Sequence, residues 1–241
     1  MLAMLARLRR VVAAECRLGI SPPLAVIAVV IACAPPLAEA LQYERAAVHA
    51  GEHWRLITCH WTHWSADHLF WDVLAFALLA SLCERLGRLK MIACTLMAAI
   101  VIGASVEVVL PGIHAYRGLS GIDSALFALA VTTLLRRAVS ARRRKSAMTL
   151  LVCLVAFLGK TAFECTTGMT LFVNSAAAGM TPVPLVHIIG AIVGLGVGCW
   201  CRRSGAECSV TRRRHPAPPA FRPRPAAPTP LHRAPIARTP R

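Results

Sequence analysis

The sequence predicts an all-α membrane protein with six transmembrane helices, from its hydropathy and from the distribution of its charges. Of its 241 residues, 56% are hydrophobic and only 16% are charged, whereas a typical soluble domain has about 25% charged residues. Long stretches contain almost no charge, and arginines cluster in short runs between them. This pattern is typical of helices that lie in hydrocarbon and are joined by segments in water.

Six apolar segments follow one another, and most approach the roughly 20 residues that are needed to cross the hydrocarbon core. They cover residues 21–41, 68–86, 91–110, 119–135, 147–158 and 183–201. We therefore divide the chain into an N-terminal segment (1–20), a six-helix membrane domain (21–201) and a C-terminal tail (202–241). Because the tail is rich in proline and arginine and poor in acids, we expect it to be disordered and to lie near anionic lipid.

Lysine and arginine are unequally distributed between the two sides of the predicted bundle. With six helices, the N-terminus, the loops after helices two and four, and the tail share one side, which holds 23 of the 27 basic residues. The positive-inside rule therefore places both termini in the cytoplasm. The first segment, which follows three arginines and ends in Ala38-Glu39-Ala40, also fits a cleaved signal peptide, the less favoured interpretation.

Five polar residues lie within the predicted helices, where an uncompensated polar group is costly. They are His68 and Asp72 in the second helix, Ser120 and Asp123 in the fourth, and His187 in the sixth. In the predicted topology each lies within about two turns of the outer end of its helix. Side chains from three helices that are distant in the sequence therefore lie at the same depth in the membrane. This coincidence predicts a chemical site below the outer face of the membrane.

Ser120 lies in the sequence Gly118-Leu119-Ser120-Gly121. A G-x-S-G motif arises by chance in about one chain in ten of this length, so it is weak evidence alone. At the start of a helix, however, a serine hydroxyl faces free backbone N–H groups that can stabilise an oxyanion. The alternative interpretation is a simple helix cap between two glycines.

His187 is followed by Gly190, Gly194 and Gly198, a stripe of glycines that lets another helix approach closely. Gly190 lies on nearly the same helix face as His187. If the fourth helix packs on this stripe, His187 meets Ser120 and can activate it. The alternative is a packing stripe with a histidine bonded to a backbone carbonyl.

Composition and spacing argue against nucleic-acid and metal binding, and they leave one possible cysteine pair. The net charge is +16, but the basic residues are not interleaved with aromatic residues in a foldable soluble unit. We therefore expect no nucleic-acid partner. His68 and Asp72 share a helix face, but zinc needs three or four directed ligands, so we expect neither a metal nor another cofactor. Among ten cysteines, only Cys59 and Cys165 are placed to pair in an oxidising space.

Together these motifs resemble the rhomboid family of intramembrane serine proteases. The matching residues are Trp54-Arg55, His63, His68 and Asp72, Glu84-Arg85-Leu86-Gly87, Gly118-x-Ser120-Gly121, and His187-x2-Gly190-x3-Gly194. The resemblance implies a six-helix bundle, a catalytic dyad of Ser120 and His187, and an oxyanion site involving His68 and position 72. It also implies a transmembrane protein substrate, the lipid bilayer as surroundings, and a bacterial inner membrane as the location.

Two residues depart from the rhomboid pattern. Rhomboids usually have asparagine at the position of Asp72, and often tyrosine at that of Ser124. Because an ionised carboxylate would repel an oxyanion, Asp72 is expected to be protonated through burial, or turned away, or else the site is altered. Because this tyrosine is absent, Asp123 is expected to hold His187 in its place. Such departures are similar to those of the rhombosortases, which process proteins with a C-terminal Gly-Gly membrane anchor.

The sequence therefore favours an intramembrane serine endopeptidase, with rhombosortase-like processing of C-terminal anchors as a narrower version. The first alternative is a catalytically inactive rhomboid-like protein that binds client transmembrane helices. The second is a small transporter with proton-relaying acids, which the lack of internal repeat symmetry disfavours. Lys160 and Glu164 are interpreted as an interfacial ion pair, and the sequence leaves the oligomeric state open.

Overall fold

The computed structural model describes residues 19–175, 177 and 179–200, and the described chain is mostly helical. Its helices are α1 (Ser21–Ala32), α2 (Pro35–Leu41), α3 (Arg45–His49), α4 (Arg55–Thr58), α5 (Ala66–Val109), α6 (Ser120–Ser140), α7 (Arg144–Thr167) and α8 (Leu185–Trp200). Two short antiparallel strands, β1 (Tyr43–Glu44) and β2 (Ala115–Tyr116), pair with each other. The predicted tail and residues 1–18 of the N-terminal segment lie outside the described residues.

The first predicted helix is in fact two helices. α1 ends at Ala32, α2 begins at Pro35, and their axes are bent by 112°. Proline lacks a backbone N–H and clashes with the preceding turn inside a helix, but it suits the first turn of a new helix. The prediction of one continuous helix over residues 21–41 is therefore wrong.

The second and third predicted helices are the two halves of α5. This helix has 44 residues and is interrupted at Gly87, whose φ of 170° and ψ of 98° are not helical. Since about 20 residues cross the hydrocarbon core, each half is long enough for one crossing. Taken whole, α5 and α7 are long and apolar enough to span a membrane, and the α1–α2 pair adds a third if counted as one span. The number of six spans stays a prediction.

The centre of the bundle is α6, which packs between α5 and α8. Its buried apolar residues include Ile122, Leu126 and Leu129. Side chains added at two glycines of α8 would overlap the α6 backbone: a Cβ on Gly190 would meet the Gly121 carbonyl oxygen, and one on Gly194 that of Ala125. The glycine stripe therefore allows α6 and α8 to touch through their backbones.

α7 is the least embedded of the long helices. Its buried residues are Thr161 and Glu164, both in its second half. Phe157 also stacks on Phe127 of α6, with ring centroids 5.0 Å apart. Most of the remaining side chains of α7 face outward, as expected of a helix that lies against lipid.

The segment between α2 and α5 is anchored to the end of α5. Arg45 donates hydrogen bonds to the carbonyl oxygens of Val106, Glu107 and Leu110, which have no partners within the helix at its C-terminus.

Cys59, in the segment between α2 and α5, is buried, and its thiol is free, as is the exposed thiol of Cys165. The two cysteines that seemed placed to pair are therefore unpaired in the structure.

We predict that Gly194→Val destabilises the protein by about 1–3 kcal/mol, because an added side chain must push α8 away from α6. Gly196→Val is the matched control, since a Cβ at Gly196 has no other described atom within 4 Å. Thermal unfolding in detergent would compare the two variants with the native chain. Equal unfolding temperatures for both variants would show that the glycine stripe does not determine the α6–α8 contact.

Candidate active site

A cavity of about 450 Å³ opens where the first turns of α5, α6 and α8 come together. Its polar lining contains His68, Asp72, Ser120, Asp123, Lys160, Glu164 and His187. Its apolar lining includes Trp71, Leu74, Leu78, Phe127, Phe157 and Phe172. All five polar residues that were singled out in the predicted helices therefore face one cavity, together with two residues of α7.

The turn before Ser120 requires glycine at position 118. The φ of Gly118 is +125°, in the region that favours glycine. A Cβ at this position would also lie 2.8 Å from His68 Nε2 and 3.1 Å from Asp72 Oδ2. Both the backbone conformation and the space thus exclude a side chain, and the chain passes close to His68 before it enters α6 at Ser120.

His60 packs against this turn from the segment before α5. It is fully buried, with Nε2 3.0 Å from the carbonyl oxygen of Ala99 and Nδ1 3.4 Å from that of Gly118. Burial lowers the pKa of His60 to about 4. The ring is therefore neutral at pH 7 and has one N–H, which the shorter distance assigns to Ala99. No sequence pattern marked this role, because both partners are distant in the chain.

Asp72 holds the turn that precedes Ser120. Its Oδ2 accepts the backbone N–H of Leu119 at 2.9 Å, and it lies 3.1 Å from His68 Nε2 and 3.4 Å from His63 Nε2. The sequence analysis expected a carboxyl that is protonated, or turned away from the oxyanion, or part of an altered site. The bond to Leu119 shows that Asp72 fixes the residue before Ser120, and its protonation stays a prediction.

His187 is the third residue of α8 and is mostly buried. Its Nδ1 lies 3.1 Å from Glu164 Oε2, and Lys160 Nζ is 2.7 Å from the same oxygen. The carboxylate beside the histidine is therefore Glu164, whereas Asp123 was expected there. Asp123 Oδ1 is buried without a hydrogen-bond partner.

Glu164 was interpreted from the sequence as half of an interfacial ion pair. The pair with Lys160 exists, but only 2% of Glu164 is exposed, so that its carboxylate points into the protein. No apolar pattern marked this burial, because Glu164 lies beyond the predicted apolar segment of residues 147–158.

The donor set offers little for a metal ion. Within the part of the chain that the structure describes, no group of three or more His, Cys, Asp or Glu side chains is arranged to hold one. The cavity instead combines a serine at a helix start with a histidine and a carboxylate. Such side chains are those of nucleophilic catalysis at a carbonyl carbon.

Comparison with known protein families agrees with this chemistry. The Rhomboid domain model matches residues 50–204, which is well over half of the chain. The matched range contains every polar residue of the cavity. A direct comparison with curated proteins finds no match.

We predict that the free energy of unfolding falls by up to about 3 kcal/mol between pH 6.5 and pH 4, because of His60 alone. The folded-state pKa of about 4 lies below the ordinary value of about 6.5, so the unfolded chain binds this proton first. The contribution of neutral His60 to the free energy of unfolding is therefore fully present above pH 6.5 and is lost as the pH falls toward 4. His60→Gln should show a shallower pH dependence in thermal unfolding; equal slopes would contradict the assignment.

Proposed function

Because the chain belongs to the rhomboid family, whose members are in general intramembrane serine proteases, we propose that it is an intramembrane serine endopeptidase. Its nucleophile is Ser120 and its general base is His187. The observation that carries this proposal is that both side chains line one cavity at the starts of two helices in backbone contact. The cavity has the polar end and the apolar walls that hydrolysis within a membrane requires.

The reaction follows the chemistry of serine proteases. Ser120 Oγ attacks the carbonyl carbon of the scissile bond while His187 takes the hydroxyl proton. Since Nδ1 of His187 lies against Glu164, Nε2 is the nitrogen that takes it. The tetrahedral intermediate collapses as the C–N bond breaks, and His187 returns the proton to the leaving amine. A water molecule, activated by the same histidine, then hydrolyses the acyl-serine ester.

The oxyanion is stabilised mainly by the backbone at the start of α6. N–H groups in the first turn of a helix have no partner within the helix, and that of Ser120 lies beside the nucleophile. The N–H of Leu119 is already donated to Asp72. His68 is the second donor, but its Nε2 faces Asp72 at 3.1 Å, so the ring must turn toward the cavity to contribute.

The substrate is a membrane-anchored protein that is cleaved near the outer face of a bacterial inner membrane, with both termini of the protease in the cytoplasm. The cavity walls of Trp71, Leu74 and Phe127 suit an apolar segment that has left its helical conformation. Processing of C-terminal anchors, as in the rhombosortases, is the narrower version of this proposal. It is supported by the departure from asparagine at position 72.

The second candidate function is a rhomboid-like protein that binds transmembrane helices without cleaving them. The observation that favours it is the carboxylate of Asp72, which lies where a neutral side chain would better tolerate an oxyanion. Covalent labelling of the serine separates the two functions, because a fluorophosphonate reacts only with an activated hydroxyl.

We predict that Ser120→Ala and His187→Ala each abolish cleavage of a transmembrane substrate and labelling by a fluorophosphonate, since members of such a pair act as a unit. Both variants should insert and unfold like the native chain. Ser105→Ala is the matched control, because its hydroxyl bonds only to its own helix at Val101. More than a tenth of native activity in Ser120→Ala, at equal protein amounts, would show that another residue is the nucleophile.

We also predict that Asp72→Asn keeps at least a third of native activity, whereas Asp72→Leu loses more than tenfold. The asparagine oxygen can still accept the N–H of Leu119, but leucine leaves it buried and unsatisfied, which costs about 1–3 kcal/mol. Initial rates on a transmembrane substrate, normalised to folded protein, would test this. If the asparagine variant is as inactive as the leucine variant, the negative charge itself is required.

A further inference from the structure

We propose that Glu164 is a positioning residue for the reaction, which holds His187 through its Nδ1 and makes the site a triad of Ser120, His187 and Glu164. This inference rests on the proposed function and adds a third residue to the dyad that the family resemblance implied. The residue lies on α7, 23 positions before His187 and 44 after Ser120. Three separate helices thus contribute one residue each.

The first support is the geometry around the histidine. His187 Nδ1 is 3.1 Å from Glu164 Oε2. The same nitrogen is buried and forms no aligned hydrogen bond in this conformation, so the two atoms are in contact but not yet in line. Hydrogen bonds of catalytic groups are often poorly aligned before the substrate is bound and tighten afterwards. The proposal requires the ring to rotate until the N–H of Nδ1 points at the carboxylate.

The second support is the burial of the carboxylate. Glu164 is 2% exposed, although it lies on the helix that is otherwise the least embedded. A buried carboxylate is strongly destabilising unless cations or donors surround it. Glu164 has Lys160 Nζ at 2.7 Å on Oε2 and the N–H of Leu171 at 3.4 Å on Oε1. These contacts maintain a charged carboxylate beside the histidine.

A carboxylate at Nδ1 has a defined effect on the reaction. It favours the tautomer with a proton on Nδ1, which leaves Nε2 free to take the proton of Ser120. It also stabilises the imidazolium that forms when Ser120 attacks. Glu164 itself takes no proton: the proton moves from Ser120 Oγ to Nε2 and then to the leaving amine. The residue therefore acts on the rate through His187 and not on the substrate.

A purely structural role is the competing explanation, because Glu164 also connects α7 with the loop at Leu171 and with α8. If the contact only fastens α7 to the bundle, a weaker contact should leave the chemical step unchanged or should speed substrate entry. If Glu164 orients His187, the turnover number must fall even when the helix stays in place. A fall in kcat is thus expected only if Glu164 orients His187.

The test uses the full purified chain in detergent and a transmembrane substrate, with Glu164→Gln, Glu164→Asp and the control Glu84→Gln. Glu84 also anchors two segments, since it accepts hydrogen bonds from Ile20 and Ser21, but it lies outside the cavity. We expect Glu164→Gln to lower kcat by roughly 100-fold with KM within about twofold. Glu164→Asp should recover at least tenfold of that loss, and Glu84→Gln should keep native kcat.

A Glu164→Gln variant with native or higher kcat would overturn the inference and leave the proposed function intact. A native chain that neither cleaves the substrate nor reacts with a fluorophosphonate would overturn both. If the glutamine variant does not fold, nitrogen NMR of histidine-labelled native protein decides, with the His187 signals identified by their absence in His187→Gln. A proton on Nδ1 supports the inference, and a proton on Nε2 in the resting enzyme contradicts it.

Discussion

The backbone contact between α6 and α8 is the interaction on which the candidate site depends. In a membrane, helices gain little by hiding apolar surface from each other, so close packing through small residues must hold them together. Gly190 and Gly194 provide this contact against the carbonyl oxygens of Gly121 and Ala125. Since Ser120 precedes Gly121 by one residue and His187 precedes Gly190 by three, the same packing brings both to one cavity.

The second constraint is that polar groups in an apolar protein interior must find partners. Asp72 meets this need by accepting the N–H of Leu119, with two histidine nitrogens within 3.4 Å of the same oxygen, and His60 by donating to the carbonyl oxygen of Ala99. Asp72 holds the turn that carries Gly118 and Leu119 immediately before α6, and His60 packs against it. The groups that are costly to bury thus hold Ser120 in place, and the stability of the bundle and the geometry of the site have a common origin.

Much of this could be predicted from the sequence because it depends on local spacing. The apolar runs located most helices, and the spacing from His187 to Gly190 placed the histidine on the packed face. Residues 21–41 were counted as one helix because the apolar run continues through Pro35, where a second helix in fact begins. The partners of Asp72 and Glu164 depend on contacts between separate helices, such as the 47 positions between Asp72 and Leu119. No periodicity in one segment indicates such a partner.

The acid at position 72 also illustrates how a departure from a family pattern can be tolerated. A lone carboxylate near a developing oxyanion would oppose it, and this argument suggested a neutral Asp72. The structure offers a different compensation, because an amide nitrogen and two imidazole nitrogens lie within 3.4 Å of Oδ2. The carboxylate of Glu164 likewise has nitrogen atoms of Lys160 and His187 beside it. Each of the two carboxylates that line the cavity thus has nitrogen partners of its own, so that burial of one does not depend on the other.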